Sequence, residues 1–232
     1  SPFKKLLPSA SLARGRLVER KISLIVYDFD GTLVDTLFDI ADAVNLSLSE
    51  LGLRTLNRDT IRKYVGKGVE RLMAQSINDT DCTDLSLAVE LFRKNYSKNL
   101  MNHTRFYPFG REILDHFHDK KQAICSNKPE DFVRRILESL KSLDCFDAIL
   151  GGDSVKSKKP DPEGLLHLLD RFQCSPEMAV LVGDSPVDIE TGKRAGVYTC
   201  VVNYGFGDPK EIASADPDCS IDHLSQLKDL FC

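Results

Sequence analysis

From residue 111 onward, short apolar runs alternate with stretches of helical period, and this alternation limits what the chain can fold into. A helix predicted at 111–118 precedes the strand "QAICS", and one at 130–141 precedes "FDAILG". Likewise, a helix at 162–172 precedes "AVLVGD", and one at 187–195 precedes "VYTCVV". Strands separated by helices are joined by crossovers, and crossovers build a parallel sheet from right-handed βαβ units. A further run, "ISLIVY" at 22–27, is β-branched and apolar throughout, as a strand buried on both faces should be. Between this run and the alternating region the pattern changes. Leu37, Ile40, Ala41, Val44, Leu48 and Leu51 recur at helical spacing, and Gly52 stops them. Helices are predicted over Arg58–Val65, Val69–Ile77 and Leu85–Leu100, with no strand among them, until "RFYPFG" breaks the run. The prediction is an α/β core with a doubly wound parallel sheet, residues 21–35 and 105–232, carrying a small α-helical unit, 36–104, inserted after the first strand.

The 232 residues, 42% hydrophobic, suffice for a sizeable core. A net charge of −4 gives no basic field for nucleic acid, and no apolar run reaches the roughly 20 residues that span a bilayer. Seven cysteines, an odd number with no C-x-x-C pair, fit a reducing cytoplasm better than a disulfide framework. His116 and His118 are two apart, so a helix would point them to different faces, and they read as no metal pair. Residues 1–20 are basic and nearly free of acids; they read as a solvated N-terminal tail, with a transit-peptide character as the alternative.

In sheets of this kind ligands bind beyond the carboxyl ends of the strands. Four such ends carry polar residues: Asp28-Phe29-Asp30-Gly31-Thr32, Ser126-Asn127, Lys159 in "KSKKPDP", and Gly183-Asp184-Ser185 with Asp188 a turn later. Singly, each reads as a turn or a helix cap. Together they place carboxylates, small hydrogen-bonding side chains and a lysine along one edge of one sheet. Asp28 and Asp184 are hard oxygen ligands of the kind Mg²⁺ takes, with substrate phosphate completing its shell. A cation there offsets the repulsion among Asp28, Asp30 and Asp35. Lys159 reads as the only basic strand-end residue placed to meet a phosphoryl dianion, and Ser126, Asn127 and backbone N–H groups after Asp28 would bind its oxygens. Gly31 allows that loop its tight turn.

These segments resemble the haloacid dehalogenase superfamily. "DFDGTLVDT", "SN", the lysine of "KKPDP" and "GDSPVD" are similar, in order, to its four motifs, and the likeness runs from about residue 22 to the C-terminus. "VGKGVERLM", "FYPFG" and "GDSPVDIETGKRAG" look most like its phosphoglycolate phosphatase branch. The resemblance implies a Rossmann-like core with the helical insert as a small cap. It implies Asp28 as the nucleophile, forming an aspartyl-phosphate, and Asp30 as the acid for the leaving alkoxide and then the base for water. Mg²⁺ would be held by the Asp28 side chain, the Asp30 carbonyl and Asp184, with Asp188 orienting Lys159 or a metal-bound water. Ser126, Asn127 and Lys159 would hold the phosphoryl group. The implied substrate is a small-molecule phosphomonoester, hydrolysed by a monomer or homodimer.

A dehalogenase has no use for Asp30. A phosphosugar mutase uses the same two aspartates and stays open, as does a catalytically silent phosphate-binding relative. A phospho-acceptor receiver domain is about half this length. Selectivity should come from the loop Gly66-Lys67-Gly68 of the insert. There, Lys67 at the tip and Arg71 a turn later would meet a carboxylate beside the phosphate, as in 2-phosphoglycolate; a solvated loop is the alternative reading.

Overall fold

The computed structural model describes residues 20–82 and 84–232; the expected N-terminal tail lies outside the described residues except for Arg20. The first strand, β1 (Leu24–Tyr27), leads through β2 (Val34–Asp35) into four helices, α1 (Leu37–Glu50), α2 (Arg58–Arg62), α3 (Val69–Ile77) and α4 (Leu85–Asn99). The chain returns through β3 (Arg105–Phe106) and continues as α5 (Gly110–His116), β4 (Lys121–Cys125), α6 (Glu130–Ser139), β5 (Ala148–Leu150) and α7 (Glu163–Arg171). It ends as β6 (Ala179–Gly183), α8 (Pro186–Ala195), β7 (Tyr198–Val202), α9 (Pro209–Ala215), β8 (Cys219–Ile221) and α10 (Leu227–Leu230).

Six strands form one parallel sheet in the order β5-β4-β1-β6-β7-β8. The chain leaves β1 to build β4 and β5 on one side, then crosses back to lay β6 on the other. The carboxyl end of β1 is therefore the topological switch point, flanked by the ends of β4 and β6. Strand β1 is apolar at every position because both its faces are covered. Leu24 and Val26 share a cluster with Leu165 and Leu168 of α7, while Ile25 and Tyr27 share one with Val133 and Ile136 of α6.

The helical insert packs α1 against α4, burying Ala43, Val44 and Leu48 with Ala88, Phe92 and Tyr96. Helices α2 and α4 start where side chains satisfy the first amides: Asn57 accepts from Thr60 N–H at 2.8 Å and Asp84 from Leu87 N–H at 2.9 Å. The two connections to the core run side by side, with Val34 opposite Phe106 and Asp35 opposite Arg105 in an antiparallel pair. Buried Asp39 ties them, accepting from the backbone N–H of His103 and of Thr104 and from the Thr104 hydroxyl at 2.7–3.0 Å. That full set of donors makes Asp39 a structural anchor, although Asp42 and His103 lie close by.

The helix predicted to reach Val65 stops at Arg62, because Gly66 and Gly68 turn the chain with φ of 100° and 88°. The ribbon β2–β3, and α9, β8 and α10, are additions to the predicted elements. Among the described residues no helix is long and apolar enough to cross a membrane, and the seven cysteines are unpaired.

Candidate active site

Asp28 directly follows β1, and its backbone N–H bonds to the Val182 carbonyl of β6. Its side chain is buried, and Lys159 Nζ lies 2.9 Å from Oδ1. Lys159 also donates to Asp188 Oδ1 at 2.6 Å. The other oxygen of Asp188 accepts from the Ser185 hydroxyl at 2.7 Å and from the backbone N–H groups of Ser185 and Asp184 at 3.1 and 3.2 Å. Asp188 therefore starts helix α8 and aims Lys159 with the same carboxylate. Burial alone would lower the lysine's pKa, but Asp188 and Asp28 together raise it, so it stays charged.

Asp28, Asp184 and Asp188 offer carboxylate oxygens within 4.8 Å of one another. Burial, opposed by Lys159 and reinforced by Asp188, pushes Asp28 up to about 6. Burial, Asp188 and Asp28 raise Asp184 well above the usual carboxylate range. With Asp188 saturated by donors, Asp28 and Asp184 are the carboxylates left for a metal. Both are hard oxygen donors in a centre with excess negative charge, and the residues present fit Mg²⁺. Asp184 itself is wedged: it accepts from Phe206 N–H at 2.5 Å, and Gly31 and Gly205 crowd it. A Cβ on Gly31, whose φ is 83°, would lie 2.3 Å from Asp184 Oδ2, and one on Gly205 would lie 2.2 Å from Asp184 Cβ.

Asp30 faces away from Lys159. It accepts from the Thr36 hydroxyl at 2.7 Å and from Lys128 Nζ at 2.9 and 3.3 Å. Lys159 is thus not the only cation at the strand ends. Lys128 follows the Ser126-Asn127 pair after β4; it is buried, and burial is outweighed by Asp30 and Tyr96, which raise its pKa. Its Nζ also donates to Tyr96 Oη on α4 at 2.8 Å and sits 4.5 Å from the centre of that ring. In sequence Lys128 is a lysine beside a proline, and its two partners lie far away along the chain, so no local signal marks it.

Ser126 turns its hydroxyl into the same space, where it accepts from Lys128 N–H at 3.4 Å. Asn127 differs from expectation. Both its amide protons are taken, by the carbonyls of Gly66 and Lys159 at 3.0 Å, and its oxygen accepts from Lys159 N–H at 2.9 Å. Its side chain is thus a brace between the Lys159 loop and the helical insert, leaving only its main chain for a phosphate.

The site opens into two spaces beneath the insert. A wide cleft of about 770 Å³ runs past Asp184, with Arg62, Lys63 and Lys67 of the insert facing Asp208 and Glu211 of the core. A small cavity of about 40 Å³ lies on the other side of Asp30, lined by Lys128, Tyr96, Phe92, Leu72 and Val69 beside Asp28. Lys67 is exposed in the wide cleft and Arg71 is exposed on α3, lining neither space.

A parallel sheet with a buried acidic centre and two lysines at its switch point has its polar groups where α/β folds of this kind bind their ligands. The sequence pattern of the haloacid dehalogenase-like hydrolases matches residues 25–202, and the chain belongs to that family. It is 37% identical over 217 residues to a phosphoglycolate phosphatase of Nitrosospira multiformis, spanning 90% of this chain and 96% of that protein. It is 38% identical over 210 residues to one of Aquifex aeolicus, again spanning 90% and 96%. The crystal structure of a predicted phosphoglycolate phosphatase from Haemophilus somnus superimposes with a TM-score of 0.86 at 28% identity, covering 89% of this chain and 96% of that one.

Proposed function

We propose that the protein is a Mg²⁺-dependent phosphomonoester hydrolase working through an aspartyl-phosphate on Asp28, with a small phosphorylated metabolite such as 2-phosphoglycolate as substrate. The observation that carries the reading is the pairing of two carboxylates in different settings two residues apart. Asp28 is crowded by acids and held by Lys159, and Asp30 is turned toward a hydroxyl and Lys128. One suits attack on phosphorus and the other suits moving a proton to and from the leaving oxygen.

In this reading the phosphoryl group sits over Asp28. Lys159, the Ser126 hydroxyl and the main chain after Asp28 and at Asn127 take its oxygens, and the Asp28 carboxylate attacks phosphorus. Asp30 gives its proton to the departing alcohol and then removes one from the water that releases phosphate. Asp28, Asp184 and the Asp30 carbonyl would hold Mg²⁺, which neutralises phosphoryl charge when bound. Asp188 keeps Lys159 aimed. Most of the acceleration comes from positioning and charge stabilisation.

Residues 36–104 act as a cap over a core of 21–35 and 105–232. Contacts across this divide, Asn127 to Gly66, Lys158 to Glu70 at 2.8 Å and Arg62 to the Gly205 carbonyl, draw the cap onto the core. Lys67, with Arg62 and Lys63, gives the cleft mouth positive charge for an incoming dianion. The relatives' likeness supports the substrate, and the unpaired cysteines suit a reducing cytoplasm. The test is turnover over a panel of phosphomonoesters with Mg²⁺ or chelator, with acid-quenched protein analysed by mass spectrometry. Phosphate release that needs Mg²⁺, with phosphate trapped on Asp28, is expected. Full turnover in chelator, or phosphate trapped elsewhere, refutes the mechanism.

A further inference from the structure

Lys128 and Tyr96 are both buried, and the hydrogen-bonding capacity of the phenol is not used up. The three protons of the ammonium meet both Asp30 oxygens, at 2.9 and 3.3 Å, and Tyr96 Oη at 2.8 Å. Tyr96 Oη accepts from Lys128, and its own proton has no acceptor among the described residues. The ring is fixed, stacked on Phe92 with centroids 5.4 Å apart and edge-on to Phe132 at 5.0 Å, so its hydroxyl cannot swing toward solvent. Both residues line the small cavity. A ligand that brings an anionic acceptor into this cavity meets a buried ammonium and a phenol proton side by side, and hydrogen bonds to a charged acceptor are the stronger ones.

The position of the cavity says which part of a substrate enters. Asp30 borders both spaces, but only the small cavity also touches Asp28, so a leaving group that stays beside both carboxylates enters the small cavity. Its walls otherwise are apolar: Ile40, Val69, Leu72, Phe92 and Phe132. Its volume of about 40 Å³ suits a small fragment of the leaving group.

We propose that Lys128 and Tyr96 form the receptor for an anionic group on the leaving alcohol, so that the substrate is a short phosphorylated hydroxy acid with its carboxylate on the carbon next to the ester carbon. The proposal rests on the phosphatase reading above and moves selectivity from the exposed Lys67 to a buried cation on the core and a phenol on the cap. Since the two ends of the receptor come from different domains, an anionic leaving group also bridges cap and core.

The experiment compares kcat/KM for 2-phosphoglycolate with that for its uncharged amide, 2-phosphoglycolamide, using p-nitrophenyl phosphate with Mg²⁺ as the measure of basic phosphatase chemistry. The wild-type enzyme should prefer the carboxylate by about tenfold or more, the scale of one charge-assisted hydrogen bond. Lys128→Met should slow both substrates, because Lys128 also holds Asp30, but should bring their ratio close to one; Tyr96→Phe should lower the ratio by a smaller factor. A wild-type ratio near one overturns the proposal while leaving the phosphatase reading intact, and this arm does not depend on any variant folding. A folded Lys128→Met protein that keeps the wild-type ratio also overturns it, assigning Lys128 to holding Asp30 alone. Absence of hydrolysis of all three compounds removes both readings.

Discussion

Replacing Asp28 by asparagine should make the metal-free protein more stable at neutral pH while abolishing turnover. Burial, with Asp188 close by, pushes the Asp28 carboxyl from 3.8 to about 6 even with Lys159 opposing. Its folded pKa is above its unfolded one, so its contribution to stability is full below about pH 4 and is lost as pH rises through 6. A shift of that size corresponds to about 3 kcal/mol of destabilisation once Asp28 is ionised. Asparagine is neutral at every pH and close in shape to the protonated acid. The variant should therefore match the wild type near pH 4 and exceed it by up to about 3 kcal/mol at pH 7.5, roughly 6–12 °C in Tm for a chain of this size. The assay is thermal and urea unfolding of both proteins in chelator across pH 4–8, repeated with Mg²⁺. Mg²⁺ should narrow the gap, since it binds the wild-type carboxylates and stabilises only the state that holds them. A variant that is less stable than wild type in chelator at pH 7.5, or a gap that does not widen with pH, would refute the picture of a centre overloaded with negative charge.

Asp30→Asn should slow turnover by about 10²–10⁴-fold, the range for lost acid–base catalysis, with partial recovery on phosphates of acidic phenols; equal losses on good and poor leaving groups would count against the acid role. Asp184→Ala should imitate chelation, and Ca²⁺ should inhibit because its larger, looser shell misplaces the nucleophile; steady-state rates in metal titrations check both. Gly205→Ala should shift Asp184, since the new methyl would sit 2.2 Å from its Cβ; the expected result is a loss of about 1–3 kcal/mol of stability and a higher Mg²⁺ requirement, and an unchanged Mg²⁺ dependence would show that Asp184 is not a ligand.

Strands β1, β4, β5, β6 and β7 and most of the helices were legible because each of these strands carries a short apolar run ended by turn residues, and each long helix repeats its apolar face. Elements with little to repeat were not. Helix α9, "PKEIASA", buries only Ile212, and β8 is three residues at the sheet edge. At the site, the strand-end logic singled out Asp28, Asp30, Ser126, Lys159, Asp184 and Asp188, which lie near one another because a parallel sheet brings successive strand ends together whatever lies between them. It did not show that Asn127 spends its side chain on bracing, since its partners are main-chain carbonyls. Nor did it show Lys128 and Tyr96, which lie 32 residues apart and meet only through the tertiary fold, or the Phe206 amide, because a backbone donor carries no residue signature.

The short ribbon of β2 and β3 bears on how the chain folds. Strand β1 must pair with β4, yet the chain leaves at Tyr27 and rejoins at Lys121. Closing so long a loop in an unstructured chain delays the pairing, because non-local contacts must overcome loop entropy first. The antiparallel match of Val34–Asp35 with Arg105–Phe106 brings the loop's two ends together at the base of the helices. If α1 and α4 pair early, the long excursion shrinks to the width of two strands, and β1 and β4 meet as near neighbours. Substitutions that loosen the α1–α4 contact, such as Leu48→Ala, should then slow refolding of the whole sheet as well as weakening the insert. Stopped-flow refolding checks this: an unchanged folding rate with only faster unfolding would mean that the sheet assembles without waiting for the helices.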